Sequence, residues 1–153
     1  MLKEIEKLSA SEVEVMMKAP LLVCILIAGA DNDIDSKEIK AAIELARKGK
    51  SKVRLTDFYK EVTKDFEDKL KMLLQGTPTE TTLRNASIEK ELAQLNFIFR
   101  KMDKTFAGDY YKSLRYIAKK IAESSGGVLR MKSVGDEEIK LLTLSMIKDP
   151  VAP

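Results

Sequence analysis

The sequence predicts an all-α protein, folded as a single compact bundle of about six or seven helices. Apolar residues recur at spacings of three and four along most of the chain, the pattern of helices with one buried face. No segment alternates β-branched or aromatic residues with polar ones, as a strand would. With 153 residues, 44% of them apolar, the chain is long enough to bury its own core. We therefore expect one domain over residues 1–153.

The first half of the chain contains three predicted helices after a short amphipathic helix within residues 1–10, through Leu2, Ile5 and Leu8. The apolar run 21–30, which follows Pro20, predicts a buried core helix, since it has only about half of the ~20 residues needed to span a bilayer. Pro20 is expected to open or kink this helix. A second helix covers residues 36–47, and a third, longer one runs over 55–73.

The second half contains three further predicted helices. Residues 76–78, Gly-Thr-Pro, separate the third helix from a fourth over 88–102. Gly108 and the pair Gly126-Gly127 are predicted to mark breaks. A fifth helix runs over 110–121, and a last one passes through Ile139, Leu142 and Met146.

The composition excludes several classes of active site. The chain has no histidine and one cysteine, Cys24, which removes Ser-His-Asp and Cys-His pairs and the usual zinc sites. Cys24 lies within Leu-Val-Cys-Ile-Leu and is predicted to be a buried, inert thiol. No phosphate-binding glycine loop or nucleophile elbow is present. We therefore expect a non-enzymatic protein, and the lack of a possible internal disulfide suits a reducing cytoplasm.

The least ordinary segment is acidic and joins the first two predicted helices. In the run 31–38, Asp-Asn-Asp-Ile-Asp-Ser-Lys-Glu, four carboxylates alternate with other residues. Hard cations such as Ca²⁺ or Mg²⁺ take oxygen ligands in this kind of arrangement. The candidate metal ligands are Asp31, Asp33, Asp35 and Glu38.

Two features limit that interpretation. The segment is not a standard calcium loop, because Ser36 stands where glycine is required and Ala42 where the bidentate glutamate belongs. Helix capping is the alternative: Asp35 as N-cap and Glu38 three residues later would form a capping box.

The same residues resemble the TerB-like domain of tellurite-resistance proteins, whose pattern here is Ala-Asp-Gly-x-Ile-x-x-x-Glu. Ala30, Asp31, Ile34 and Glu38 match it, and Asn32 replaces the glycine. The resemblance implies a cytoplasmic all-helical domain of two similar halves, here about 11–74 and 79–148. It also implies an acidic site for a divalent metal, no established catalytic activity, and a role in stress-related or membrane-associated complexes.

The second half contains a partial repeat of the acidic segment. Residues 133–140 parallel the start of the second helix through Glu-Ile-Lys, although the preceding loop is longer and lacks aspartates at its start. Asp136, Glu137 and Glu138 are the expected acidic contribution of this half. The alternative is that they are ordinary first-turn carboxylates at a helix N-terminus.

A helical protein-interaction module is the competing function. In that interpretation an acidic face docks a basic partner without metal, and some of the seven methionines line an adaptable groove rather than fill the core. Nucleic acid is not an expected partner, because a net charge of +3 is too mild to indicate one by itself. The basic cluster within residues 47–54 is typical of a solvated helix C-terminus, and no aromatic residues are interleaved with it.

Overall fold

The computed structural model describes residues 5–28, 37, 39–41, 43–44, 53–125 and 143–151. Within them the protein is all-α, which confirms the predicted fold class, and these residues contain no strand. The helices whose bounds are described are α1 (Ala10–Ala28), α2 (Val53–Thr63), α3 (Phe66–Gly76), α4 (Thr81–Ala93), α5 (Leu95–Ile98) and α6 (Lys104–Ser125).

A reciprocal capping box begins α1. The Ser9 hydroxyl accepts a hydrogen bond from the Glu12 N–H at 3.2 Å, and the Glu12 carboxylate accepts one from the Ser9 N–H at 2.9 Å. Two main-chain N–H groups at the helix end are thereby satisfied. Ile5 and Leu8 are buried as predicted, but residues 6–8 form turns and bends instead of an α-helix.

Helix α1 is the centre of the bundle. Every residue from Ala19 to Ala28 is buried, and the helix contacts α2, α4, α5 and α6. This confirms the predicted core helix, although Pro20 lies inside it and does not open it. No helix in the described ranges is long and apolar enough to span a membrane.

The helical stripe predicted for residues 36–47 is confirmed where the structure describes it. Residues 37, 39–41 and 43–44 have helical conformation. The side chains of Ile39 and Ile43 are almost fully buried. The chain that follows the acidic segment therefore returns to the core within a few residues.

Edge-to-face aromatic contacts connect α2 to α6. The ring of Phe58 lies edge-on to those of Tyr59, Phe106 and Tyr110, with centroids 5.4 to 6.3 Å apart. Phe99 adds a further contact to Tyr110 at 6.0 Å. These separations lie in the range preferred by aromatic pairs, so the cluster stabilises the core beyond simple burial.

The single long helix predicted over 55–73 is wrong, because the chain breaks into α2 and α3. Asp65 adopts a left-handed conformation with φ 51°, which aspartate tolerates better than most residues. Val62 and Phe66, on either side of the break, are both buried. The apolar stripe therefore continues across a turn that the periodicity does not reveal.

The helix predicted over residues 88–102 is also divided. It becomes the end of α4, the single turn α5 and a 3₁₀ turn over Phe99–Lys101.

The predicted break at Gly108 is wrong as well, since Gly108 lies within α6. A Cβ at this position would lie 2.5 Å from Cγ2 of Val151. Glycine here lets the C-terminal segment approach the helix closely.

The described C-terminal segment, residues 143–151, packs on the bundle through turns. Leu144 and Ile147 are buried. The Asn96 side chain donates to the Met146 carbonyl at 3.0 Å and accepts from the Lys148 N–H at 2.7 Å. The last predicted helix is therefore wrong at Met146, which lies in a turn; Ile139 and Leu142 lie outside the described residues.

Candidate functional site

The acidic residues predicted to hold a metal all lie outside the described part of the chain. These are Asp31, Asp33, Asp35, Glu38, Asp136, Glu137 and Glu138. The chain on both sides of the first segment is anchored, because Ile27, Ala28 and Ile39 are buried. Among the residues that the structure does describe, no three or more His, Cys, Asp or Glu side chains form a metal-binding group.

A groove of about 320 Å³ lies between the first half of α1 and the junction of α4 with α5. Its apolar floor is formed by Val15 and Ile98, which are 7% and 2% exposed. The residues that line it are Ser11, Glu12, Glu14, Val15, Lys18, Gln94, Phe97 and Ile98. Its volume is near the lower limit of ordinary ligand sites, so it fits one or two side chains of a partner.

Phe97 is the most exposed aromatic side chain in the described structure, at 65%. The guanidinium of Arg100 lies 5.5 Å from its ring centroid, a cation–π contact that orients the ring. The neighbouring residues Leu95 and Ile98 face the core. Phe97 therefore presents a large apolar surface at the edge of the groove that no described core residue covers.

Two sets of charges surround the groove. Lys18 forms an ion pair with Glu91 that connects α1 to α4, and its ammonium lies 3.9 Å from the Glu14 carboxylate. The Glu14 side chain is 72% exposed, against 25% for Glu91. Because one ammonium faces two carboxylates, these three side chains leave an excess of one negative charge at the groove.

The second set joins α1 to the 3₁₀ turn. Lys101 Nζ donates to Glu12 Oε2 at 2.7 Å. This hydrogen bond, together with the Ser9 N–H, holds the pKa of the Glu12 carboxyl below its usual value. Glu12 thus remains ionised while it caps α1 and pairs with Lys101.

The buried polar groups of the core form a separate structural network. The predicted burial of Cys24 is confirmed, and burial raises the pKa of its thiol well above its usual value. Tyr59 and Ser113 hydroxyls lie 2.6 Å apart in the interior, and burial also raises the pKa of Tyr59. These groups are neutral near pH 7 and are shielded from solvent.

The sequence pattern missed the groove, although it contained one signal. Leu92, Leu95 and Phe99 belong to the predicted buried stripe. Phe97 lies two residues from both Leu95 and Phe99, so it does not share their face of the helix. A large apolar side chain out of phase with the stripe of its own helix indicates an exposed apolar site. No protein-family model, curated protein sequence or solved structure matches this chain.

Proposed function

We propose that this protein is a non-enzymatic helical interaction domain whose groove between α1 and the α4–α5 junction binds a basic segment of a partner protein. The observation that supports this most directly is Phe97, 65% exposed beside an apolar floor. Exposed aromatic side chains next to a pocket are typical anchors of protein interfaces, because one ring buries a large area with little loss of entropy.

The charges of the groove favour a particular partner chemistry. Lys18 and Lys101 already pair with Glu91 and Glu12, so the exposed Glu14 carboxylate is the group best placed to receive a new cation. A partner segment with an apolar side chain beside a lysine or arginine would cover Phe97 and pair with Glu14. Opposite charges at the rim of an interface favour the correct partner and orientation.

Selection from a random peptide library displayed on phage tests this function without a known partner. With the full chain immobilised, we expect enriched peptides in which an aromatic or aliphatic residue adjoins a lysine or arginine. Phe97→Ser should abolish their binding, and Glu14→Lys should weaken it at low salt. The matched control is Leu83→Ser, which removes another apolar side chain of similar exposure, 61%, from α4.

Two results would contradict the proposal. One is that no peptide family is enriched over the Phe97→Ser protein. The other is that the enriched peptides bind equally well to Phe97→Ser and to Leu83→Ser, which would place the binding surface elsewhere.

A second candidate function is the binding of a divalent cation, Ca²⁺ or Mg²⁺, by the acidic segment. It is supported by the spacing of Asp31, Asp33, Asp35 and Glu38 and by the resemblance to TerB-like domains. The buried residues Ala28 and Ile39 on either side would restrict how far such ligands spread. In this proposal the domain acts in a stress-response assembly.

Thermal unfolding tests the cation site. A cation that binds only the folded chain stabilises it by about 2.7 kcal/mol at one hundred times Kd, so Ca²⁺, Mg²⁺ or Mn²⁺ should raise Tm relative to EDTA by several degrees. Asp31→Asn/Asp33→Asn should lose that shift. Asp57→Asn/Asp68→Asn, which neutralises two exposed aspartates on α2 and α3, should keep it. The absence of a shift with every ion would leave helix capping as the role of Asp35 and Glu38.

A further inference from the structure

Helix α6 has a positive excess as large as the net charge of the whole chain. Its 22 residues include five cationic side chains and two carboxylates, an excess of three. The entire sequence has a net charge of +3. The other α-helices whose bounds are described have a net charge of zero or below, so α6 is the most basic of them and attracts polyanions most strongly among them.

Three cations follow one another over two turns on the solvent-facing side of α6, and the carboxylate of Glu123, which pairs with Lys120, lies one turn beyond them. Lys112, Arg115 and Lys119 follow one another at spacings of three and four, so they lie on one face, and all three are exposed. No carboxylate among the described residues pairs with any of them. The opposite face, which includes Tyr110, Leu114 and Ile117, is buried in the core.

The other helices whose bounds are described do not show this segregation. On α2 the exposed charges alternate in sign through Asp57, Lys60 and Glu61, and on α3 Lys71 follows Glu67 and Asp68. Like charges three and four residues apart on a helix repel one another. A bound anion would relieve the repulsion among Lys112, Arg115 and Lys119.

One exposed aromatic ring lies among these cations. Tyr116, 38% exposed, lies between Arg115 and Lys119 in sequence, and Lys120 Nζ lies 5.5 Å from its ring centroid. The Arg115 guanidinium lies 5.8 Å from the ring centroid of Tyr111, but that ring is buried, so Tyr116 is the accessible ring beside these cations. Cations beside an accessible ring are the combination with which proteins hold single-stranded nucleic acid, through phosphates and a stacked base.

We propose that the face of α6 formed by Lys112, Arg115, Tyr116 and Lys119 binds single-stranded nucleic acid. The three cations would pair with successive phosphates, and Tyr116 would stack on an unpaired base. An anionic bilayer fits less well, because Tyr116 is the only large apolar side chain exposed on this part of α6 and an interfacial helix needs several. The expectation against nucleic acid rested on the mild net charge of the chain and on residues 47–54, whereas this proposal rests on the local charge of α6.

Fluorescence anisotropy with labelled oligothymidylate and oligouridylate of about 20 nucleotides, longer than one binding site, tests the proposal. We expect affinity to fall with salt, with a slope of log K against log salt near −2, because each phosphate contact on a single strand contributes about −0.7. Lys112→Gln/Arg115→Gln/Lys119→Gln should reduce binding by at least about tenfold and flatten the slope.

Two variants distinguish binding at this face from a general effect of the net charge of the protein. Lys60→Gln/Lys71→Gln/Lys90→Gln removes the same charge from exposed positions on α2, α3 and α4 and should leave binding nearly unchanged. Tyr116→Leu should weaken binding about five- to a hundredfold, in line with the loss of one stacked base, while the salt slope stays the same. Circular dichroism and Tm of each variant establish that it is folded.

Several results would overturn the proposal. These are no binding of either oligonucleotide at about 50 mM salt, equal losses in the two triple variants, or an unchanged affinity in the Tyr116→Leu protein. Binding to vesicles that contain phosphatidylserine, with no binding of the oligonucleotides, would assign the face to a membrane surface instead.

Discussion

The phenol of Tyr110 donates a hydrogen bond to the main-chain oxygen of Met16 at 2.8 Å. In an α-helix this oxygen would accept from the N–H four residues later, but that residue is Pro20, which has none. The site is fully buried within α1, where an unsatisfied carbonyl is costly. A side chain of α6 thus replaces a missing helical hydrogen bond and lets proline remain in the central helix.

A double-mutant cycle tests this replacement. Tyr110→Phe should destabilise the protein by about 1–3 kcal/mol, because it leaves a buried carbonyl unpaired. In a Pro20→Ala background the new N–H can satisfy Met16, so the same substitution should cost clearly less. Urea unfolding of the four proteins measures the coupling. Additive free energies of unfolding would show that the phenol and the proline are independent.

A second buried chain of hydroxyls lies close to this bond. The Ser113 hydroxyl donates to the Tyr110 carbonyl at 2.6 Å, so its only proton is used. The Tyr59 hydroxyl, also 2.6 Å away, must then donate to Ser113. Burial is the main cause that raises the pKa of Tyr59 and of Tyr110 above the ordinary value of 10.0.

These raised pKa values predict alkaline instability. Above pH 10 the two tyrosines lose protons in the unfolded chain but keep them in the folded one, so the free energy of unfolding must fall as pH rises. The expected loss is about 1.4 kcal/mol per pH unit for each tyrosine. Burial raises the pKa of the Cys24 thiol in the same way, so three groups contribute above pH 10 and Tyr59→Phe should remove about a third of the slope. Urea midpoints between pH 8 and 11 measure it. An unchanged slope in Tyr59→Phe would contradict the assignment.

The sequence was sufficient to predict the all-α fold and much of the core. Stripes of spacing three and four identified Ile39, Phe58 and Leu114 as buried, since a helix must cover such a face. Periodicity did not reveal the break at Asp65, because the stripe continues on both sides of a turn set by one backbone conformation. It also misplaced a break at Gly108, whose small size serves contact with the distant Val151.

The candidate sites were harder to predict for a related reason. The groove combines residues from both halves of the chain, such as Glu14 and Phe97, and no local pattern brings them together. The charged face of α6 is visible in sequence only once the buried side of the helix is known. The predicted acidic ligands at residues 31–38 remain a prediction, because they lie outside the described residues.

Asn96 is predicted to hold the C-terminal segment on the bundle. Its side-chain amide forms hydrogen bonds with both the Met146 carbonyl and the Lys148 N–H. Asn96→Ala should therefore remove two hydrogen bonds at once. We expect a loss of about 1–3 kcal/mol and faster amide exchange over residues 143–151. Asn85→Ala, on α4, is the matched control and should leave exchange in that segment unchanged. Equal exchange in both variants would show that the buried side chains of Leu144 and Ile147 are sufficient.

The capping box of α1 predicts the behaviour of the protein in acid. The hydrogen bond from Lys101 and the Ser9 N–H lower the pKa of Glu12 in the folded state, so its contribution to stability is present above the unfolded pKa and is lost as pH falls through the folded pKa. Glu12→Gln should therefore destabilise the protein at pH 7 and reduce the decline of the urea midpoint in acid.

Lys101→Met should raise the pKa of Glu12 observed by NMR while the Ser9 hydrogen bonds persist. Glu67→Gln, which removes an exposed carboxylate on α3, should leave the titration of Glu12 as it is. An unshifted Glu12 in Lys101→Met would mean that the main-chain cap alone keeps this carboxylate ionised.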